Sequence, residues 1–126
     1  MRQAIKAALF LAASLLTALP LPGTALAQAS SPDVATGATL YADHCAKCHM
    51  ANGAGGKMFG SVASADLRAP GLEQTYHNND NLILRAVLEA KDQDDVPLNK
   101  PMHAWKGKLT TTQARDIIAY LHTLRS

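Results

Sequence analysis

An all-α domain is the fold this sequence predicts, and three observations predict it. Apolar residues recur at helical spacing in three stretches, near residues 34–49, 80–91 and 110–124. No run shows the two-residue alternation of a half-buried strand, so no strand is expected. Between the first two stretches lie thirty residues, Met50 to Asn79, rich in glycine and without a sustained period. A compact domain tolerates so long a patternless segment when the chain is wrapped around something.

The first 27 residues are expected to lie outside that domain. Met1 to Lys6 is basic, and Ala7 to Leu19 is a thirteen-residue, mostly apolar run. Pro20, Pro22 and Gly23 break it, and Ala25-Leu26-Ala27 is a small-x-small site. This is the pattern of a secretory signal peptide, cleaved after Ala27 or, as a fallback, Ala29. The run falls short of the about 20 apolar residues that cross a bilayer, and no other stretch approaches that length. The sequence therefore predicts no lasting membrane span and a periplasmic destination. Residues 28–126 remain, 99 in all, enough for one small domain with a marginal core. Arg2 and Lys6 leave with the leader, so 10 basic residues face 10 acidic ones and the formal charge of +2 disappears. A neutral domain without a basic face is not built for nucleic acid.

Pro32 or Asp33 starts the first helix, in which Val34, Gly37, Ala38, Tyr41 and Cys45 form one stripe. A glycine in mid-helix costs about 1 kcal/mol relative to alanine, so Gly37 implies the close approach of another helix. The helix is expected to run into Cys45-Ala46-Lys47-Cys48-His49, where two thiols and an imidazole leave nearly the same face. That spacing fastens a haem c through both vinyl groups and supplies one iron ligand from the next residue. Competing readings fit less well. Two cysteines cannot close a four-thiolate zinc site, and adjacent Cys48 and His49 would crowd one tetrahedral ion. A thioredoxin-like dithiol needs a βαβ setting that this chain lacks. A disulfide or isolated dithiol is what remains as the alternative. With haem, no cysteine is left for a disulfide, and the buried macrocycle supplies apolar volume that so small a core lacks.

Within the glycine-rich segment only a short helical turn around Ser64 to Leu67 is expected. Asn79 and Asp80 offer caps for a second helix, with Ile83, Ala86, Val87 and Ala90 in one stripe, Leu84 and Leu88 widening it, and an end near Lys91. Asp92, Asp94, Asp95 and Pro97 then make a solvated acidic loop running into Lys100-Pro101-Met102-His103-Ala104-Trp105. In the last helix Thr110 caps, Gln113 completes a capping box, and Leu109 can staple onto Ala114. Its stripe is Ala114, Ile117, Ile118, Leu121 and Leu124, and it is expected to reach about Leu124.

A haem iron bound by His49 has a second axial position, whose occupant separates electron transfer from open-site chemistry. Met50 is adjacent to His49 and cannot reach the other haem face. Met58 reaches it only if the glycine-rich loop folds across the haem. Met102 is distant in sequence and is followed by Trp105, an aromatic able to close the crevice. Met102 is therefore the favoured ligand, with His103 the main competitor. His44, His77 and His122 read as surface or polar-network histidines.

With these residues in view, the chain resembles a bacterial class I monohaem cytochrome c, of the kind that also occurs as haem domains of terminal oxidases and periplasmic dehydrogenases. The resemblance covers residues 28–126. It rests on Gly37-Ala38-Thr39-Leu40-Tyr41, the Cys45-to-His49 motif, Pro70-Gly71-Leu72, Met102 with Trp105, Leu109-Thr110 and Ile117-Ile118-Ala119-Tyr120-Leu121. It implies about three to five helices around one covalent haem, with the first and last helices crossing where Gly37 packs against Tyr120. It further implies that the Pro70 carbonyl accepts the free ring N–H of His49, that Leu72 lines the pocket and that Met102 is the sixth ligand. Two positions depart from the pattern. Met50 stands where glycine commonly follows the haem histidine, and His103 where proline commonly follows the methionine.

The function implied is one-electron exchange by a carrier cycling Fe(III)/Fe(II). Its partners would be a donor dehydrogenase or quinol-oxidising complex and an acceptor oxidase or reductase. Lys100, Lys106 and Lys108 offer a basic docking patch, or are simply solvated lysines. Two other readings are a dedicated haem c subunit of a larger oxidoreductase complex and an open-site haem protein that admits peroxide or a gas.

Overall fold

A computed structural model describes Gly23 and residues 30–126; the expected signal peptide falls almost wholly outside the described residues. In chain order the elements are α1 (Val34–His44), α2 (Ala46–His49), β1 (Met58–Phe59), β2 (Val62–Ala63), α3 (Gly71–Thr75), α4 (Asp80–Glu89) and α5 (Thr111–Leu121). The class is the expected one, helices with the first and last packed together, but several details differ.

The first difference is a two-stranded antiparallel hairpin where no strand was expected, pairing Met58 with Ala63 and Phe59 with Val62. Gly60, at φ 64°, opens its two-residue turn, a conformation that glycine adopts without a steric penalty. Two residues per strand are too few to leave an alternation in the sequence. The second difference is the short helix. It forms at Gly71–Thr75 and not at Ser64 to Leu67, where the chain has no regular structure and Ser64 N–H bonds the Lys57 carbonyl at 2.8 Å.

Caps explain where the longer helices begin. Asp33 accepts from the N–H groups of Ala35 (2.9 Å) and Thr36 (3.2 Å), and Asn79 accepts from Asn81 at 3.0 Å. Thr110 and Gln113 close both bonds of the capping box, at 3.1 and 2.9 Å, with Leu109 and Ala114 both buried. Helix α4 stops at Glu89, with Ala90 in the left-handed region at φ 54°. Helix α5 ends at Leu121, short of Leu124, because the tail is used otherwise. Leu124 C=O accepts the Ala69 N–H at 2.9 Å, and Ser126 N–H returns to the Ala69 carbonyl at 3.2 Å.

Helices α1 and α5 cross with almost no space between their backbones. A Cβ on Gly37 would collide with the Asp116 carbonyl, so the mid-helix glycine answers a close backbone contact at Asp116. Tyr120 packs on Tyr41 of α1, ring centroids 5.3 Å apart. The Asp116 side chain, only 6 % exposed, accepts the Asp33 N–H at 2.8 Å. A carboxylate there also complements the positive end of α1. His122, at the end of α5, ties two more helices to it, with Nδ1 2.7 Å from Glu73 Oε1 of α3 and Nε2 3.0 Å from Asp80 Oδ1 of α4. The core joins Tyr41 of α1, Leu72 and Tyr76 from α3 and its end, Ile83 and Ala86 of α4, and Ile117, Ile118 and Leu121 of α5.

Gly37→Ala should destabilise the domain by about 2 kcal/mol, the usual scale of overpacking. Gly71→Ala, where an added Cβ meets nothing within 4 Å, should change stability by less than about 1 kcal/mol, toward stabilisation. Urea unfolding of the two variants beside the wild type checks the contrast.

Candidate functional site

Helix α1 delivers its C-terminal residues to one wall of a cavity of about 650 Å³, within the ~300–1,000 Å³ range of cofactor sites. Cys45 caps the end of α1 and starts the short turn α2 that carries Cys48 and His49. The motif is thus presented by a separate helical turn after a break, and all three side chains line the cavity. Tyr41 braces this turn from beneath, its hydroxyl donating to the Met50 carbonyl at 2.7 Å.

Cys45 and Cys48 are not joined by a disulfide. Burial first, and then the neighbouring Cys48, push the Cys45 thiol up to about 11.

His49 Nδ1 lies 2.9 Å from the carbonyl oxygen of Ala65. A carbonyl only accepts, so Nδ1 carries the hydrogen and Nε2 keeps its lone pair. This corrects the expected partner. Pro70 does not line the cavity, and its carbonyl accepts the Gln74 N–H inside α3 at 3.0 Å. Pro70 instead opens α3, which carries Leu72 to the cavity wall. No residue pattern points to Ala65, because every residue type offers the same carbonyl.

The remaining walls come from every part of the fold. Leu67 joins the expected Leu72, α4 adds Ile83 and Val87, α5 adds Ile117 and Leu121, and the hairpin adds Phe59 and Val62. Met102, His103 and Trp105 line the same cavity from the segment before α5. That segment is pinned to α4 by the N–H groups of Trp105 and Lys106, which reach the carbonyls of Val87 (3.1 Å) and Leu88 (3.0 Å). The Trp105 ring stands between His103 and His44, at 4.5 and 5.1 Å between centroids. His44 therefore belongs to the cavity and is not the surface histidine the sequence suggested, whereas His77 is exposed.

The cavity fits the group that the motif calls for. Its walls are mainly apolar, two cysteine sulfurs stand one helical turn apart on one of them, and an imidazole beside them has its outer nitrogen available.

The family model for cytochrome c matches residues 34–125. The chain belongs to the cytochrome c family. Among its relatives is cytochrome c6 of Parathermosynechococcus lividus, 33% identical over 89 residues, 71% of this chain and 87% of that protein. Another cytochrome c6, from Thermosynechococcus vestitus, is 31% identical over 93 residues, 74% of this chain and 71% of its own. The CcoP subunit of the Cbb3-type cytochrome c oxidase of Rhodobacter capsulatus is 29% identical over 99 residues, which is 74% of this chain and 32% of the subunit. This cytochrome c carries a haem c bound covalently through Cys45 and Cys48, and it is a protein of electron transport. Among the described residues, no helix is long and apolar enough to cross a membrane.

One departure from the family pattern has a visible backbone cost. Met50 sits at φ 67°, ψ 157°, a region essentially reserved for glycine and worth roughly 1–3 kcal/mol of strain for other residues. Its side chain is 44% exposed and contributes little packing in return. Met50→Gly should therefore stabilise the haem-loaded protein by about 1 kcal/mol, after the extra chain entropy that glycine loses on folding. Denaturant midpoints of the two proteins measure it.

Proposed function

We propose that this cytochrome c is a periplasmic one-electron carrier whose iron is ligated by His49 and Met102. The observation that carries the reading is that His49, its ring held by the Ala65 carbonyl with Nε2 free, shares one cavity with Met102 from far along the chain. The haem supplies one-electron Fe(III)/Fe(II) chemistry, with a raised potential when a thioether and an imidazole are its axial ligands. The chain's part is to keep both ligands in place and hold an apolar wall around the cofactor. Donors are a dehydrogenase or a quinol-oxidising complex, and acceptors an oxidase or a reductase. A second reading is favoured by the likeness to CcoP, a subunit of an oxidase complex: the same electron relay, performed as a resident subunit of a larger assembly. Purification from the native membrane and soluble fractions distinguishes the two.

Ligation is tested by visible spectra of the oxidised and reduced protein together with a pyridine haemochrome assay. Met102→Ala should abolish the ferric methionine-to-iron charge-transfer band and lower the reduction potential, while His103→Ala leaves the band in place. A wild-type spectrum without the band, joined by its appearance in His103→Ala, would reverse the assignment.

The proposed docking face is basic. Lys100 lines the cavity mouth with Lys47 and Lys57, and the Lys108 ammonium lies 5.7 Å from the centre of the Trp105 ring. Lys106 is exposed beside them, and Asp43 is the one carboxylate among the lining residues. Replacing Lys100, Lys106 and Lys108 by glutamine should slow electron exchange with the anionic reagent ferricyanide at low salt. The difference should fade as ionic strength rises; stopped-flow rates across a salt series measure it.

A further inference from the structure

The bond between His49 and Ala65 is seated on a glycine. Gly55, at φ 63°, donates its N–H to the His49 carbonyl at 3.0 Å. A Cβ built on Gly55 would lie 2.6 Å from the Ser64 carbonyl oxygen and closer still to the carbonyl oxygen of Ala65, the atom that faces the His49 ring. Gly55 thus touches both ends of the interaction, the backbone of the histidine and the carbonyl that receives its ring hydrogen. The hairpin holds the adjoining peptide, that of Ser64. Gly56 N–H reaches the Ser64 carbonyl at 2.8 Å, and Ser64 Oγ accepts the Lys57 N–H at 3.0 Å. The Lys57 ammonium in turn donates to the Lys47 carbonyl of α2 at 2.9 Å.

We propose that Gly55 is a positioning residue that sets the reduction potential by leaving room for the Ala65 carbonyl to press against the His49 ring. The inference rests on His49 being an iron ligand, as proposed above. A carbonyl held close to the Nδ1 hydrogen makes Nε2 a stronger electron donor, which favours Fe(III). A side chain at position 55 moves that carbonyl away, weakens the donor and raises the potential.

The neighbouring glycine provides the control. Gly56 also has a positive φ, 82°, but a Cβ there meets nothing within 4 Å. Gly56→Ala therefore imposes backbone strain like that of Gly55→Ala without touching Ala65. The measurements are spectroelectrochemical titration of the haem-loaded proteins and solvent exchange of the His49 Nδ1 hydrogen, followed by NMR in the ferrous state. Gly55→Ala should shift the Fe(II)/Fe(III) ratio toward Fe(II) at least threefold at fixed applied potential, about 28 mV for one electron, and speed the exchange. Gly56→Ala should do neither. Equal shifts in the two variants would overturn the proposal, as would faster exchange in Gly55→Ala with the potential unmoved. If Gly55→Ala does not take up haem, Ser64→Ala removes one hairpin tie, and a smaller shift in the same direction is expected. An unchanged potential there counts against the proposal. A wild-type ferrous spectrum in which the His49 ring is not on the iron would sink the ligation reading itself, a failure seen before any substitution is made.

Discussion

The backbone contact between α1 and α5 is the constraint on which the rest of the molecule depends. Gly37 permits it, and Asp116 uses it twice, with its carbonyl against the glycine and its carboxylate on the Asp33 N–H. Because α1 ends at Cys45, the height and angle of that crossing decide where both thiols and His49 emerge. Because Ile117 and Leu121 lie further along α5, the same crossing fixes part of the opposing apolar lining. A side chain between these helices would move two walls of the cavity at once. That is why a residue with poor helical propensity is kept in the middle of a helix.

The glycine-rich loop is a scaffold made of main chain. Gly53 donates to the Met50 carbonyl at 3.1 Å and accepts from the Leu67 N–H at 2.7 Å, and Gly55 and Gly56 bind the His49 and Ser64 carbonyls. The three glycines have φ values of 77°, 63° and 82°, which side-chain-bearing residues rarely adopt. The segment therefore encloses the imidazole with peptide groups, and its order comes from hydrogen bonds that side-chain patterns do not encode.

This is also the physical limit of what could be read from the residues. The Cys45-to-His49 motif was legible because its chemistry lies in side chains at fixed spacing, and Asn79 and Thr110 with Gln113 because caps are side-chain devices. Periodicity found α1, α4 and α5, each of which exposes one face and buries the other. It missed α3 and the hairpin, which are too short to establish a period. The partner of the His49 ring was placed at Pro70, five residues beyond the carbonyl that faces it, because a carbonyl acceptor leaves no trace in residue identity. Gly37 marks a place of close approach because a glycine in mid-helix needs a reason, but that the atoms nearest it belong to the Asp116 peptide leaves no trace in residue identity.

The tail has a role disproportionate to its length. Leu124 and Ser126 grip Ala69 from both its N–H and its C=O, and Ala69 is four residues from Ala65. The Leu124 side chain reaches the same loop, one of its methyls lying 2.8 Å from where a Cβ on Gly53 would sit. Residues 124–126 thus work as a buckle on the strap of polypeptide that carries Ala65 to the imidazole. Anything that prises residues 124–126 from Ala69 would slacken that strap and be felt at the His49 ring before it was felt in the helices.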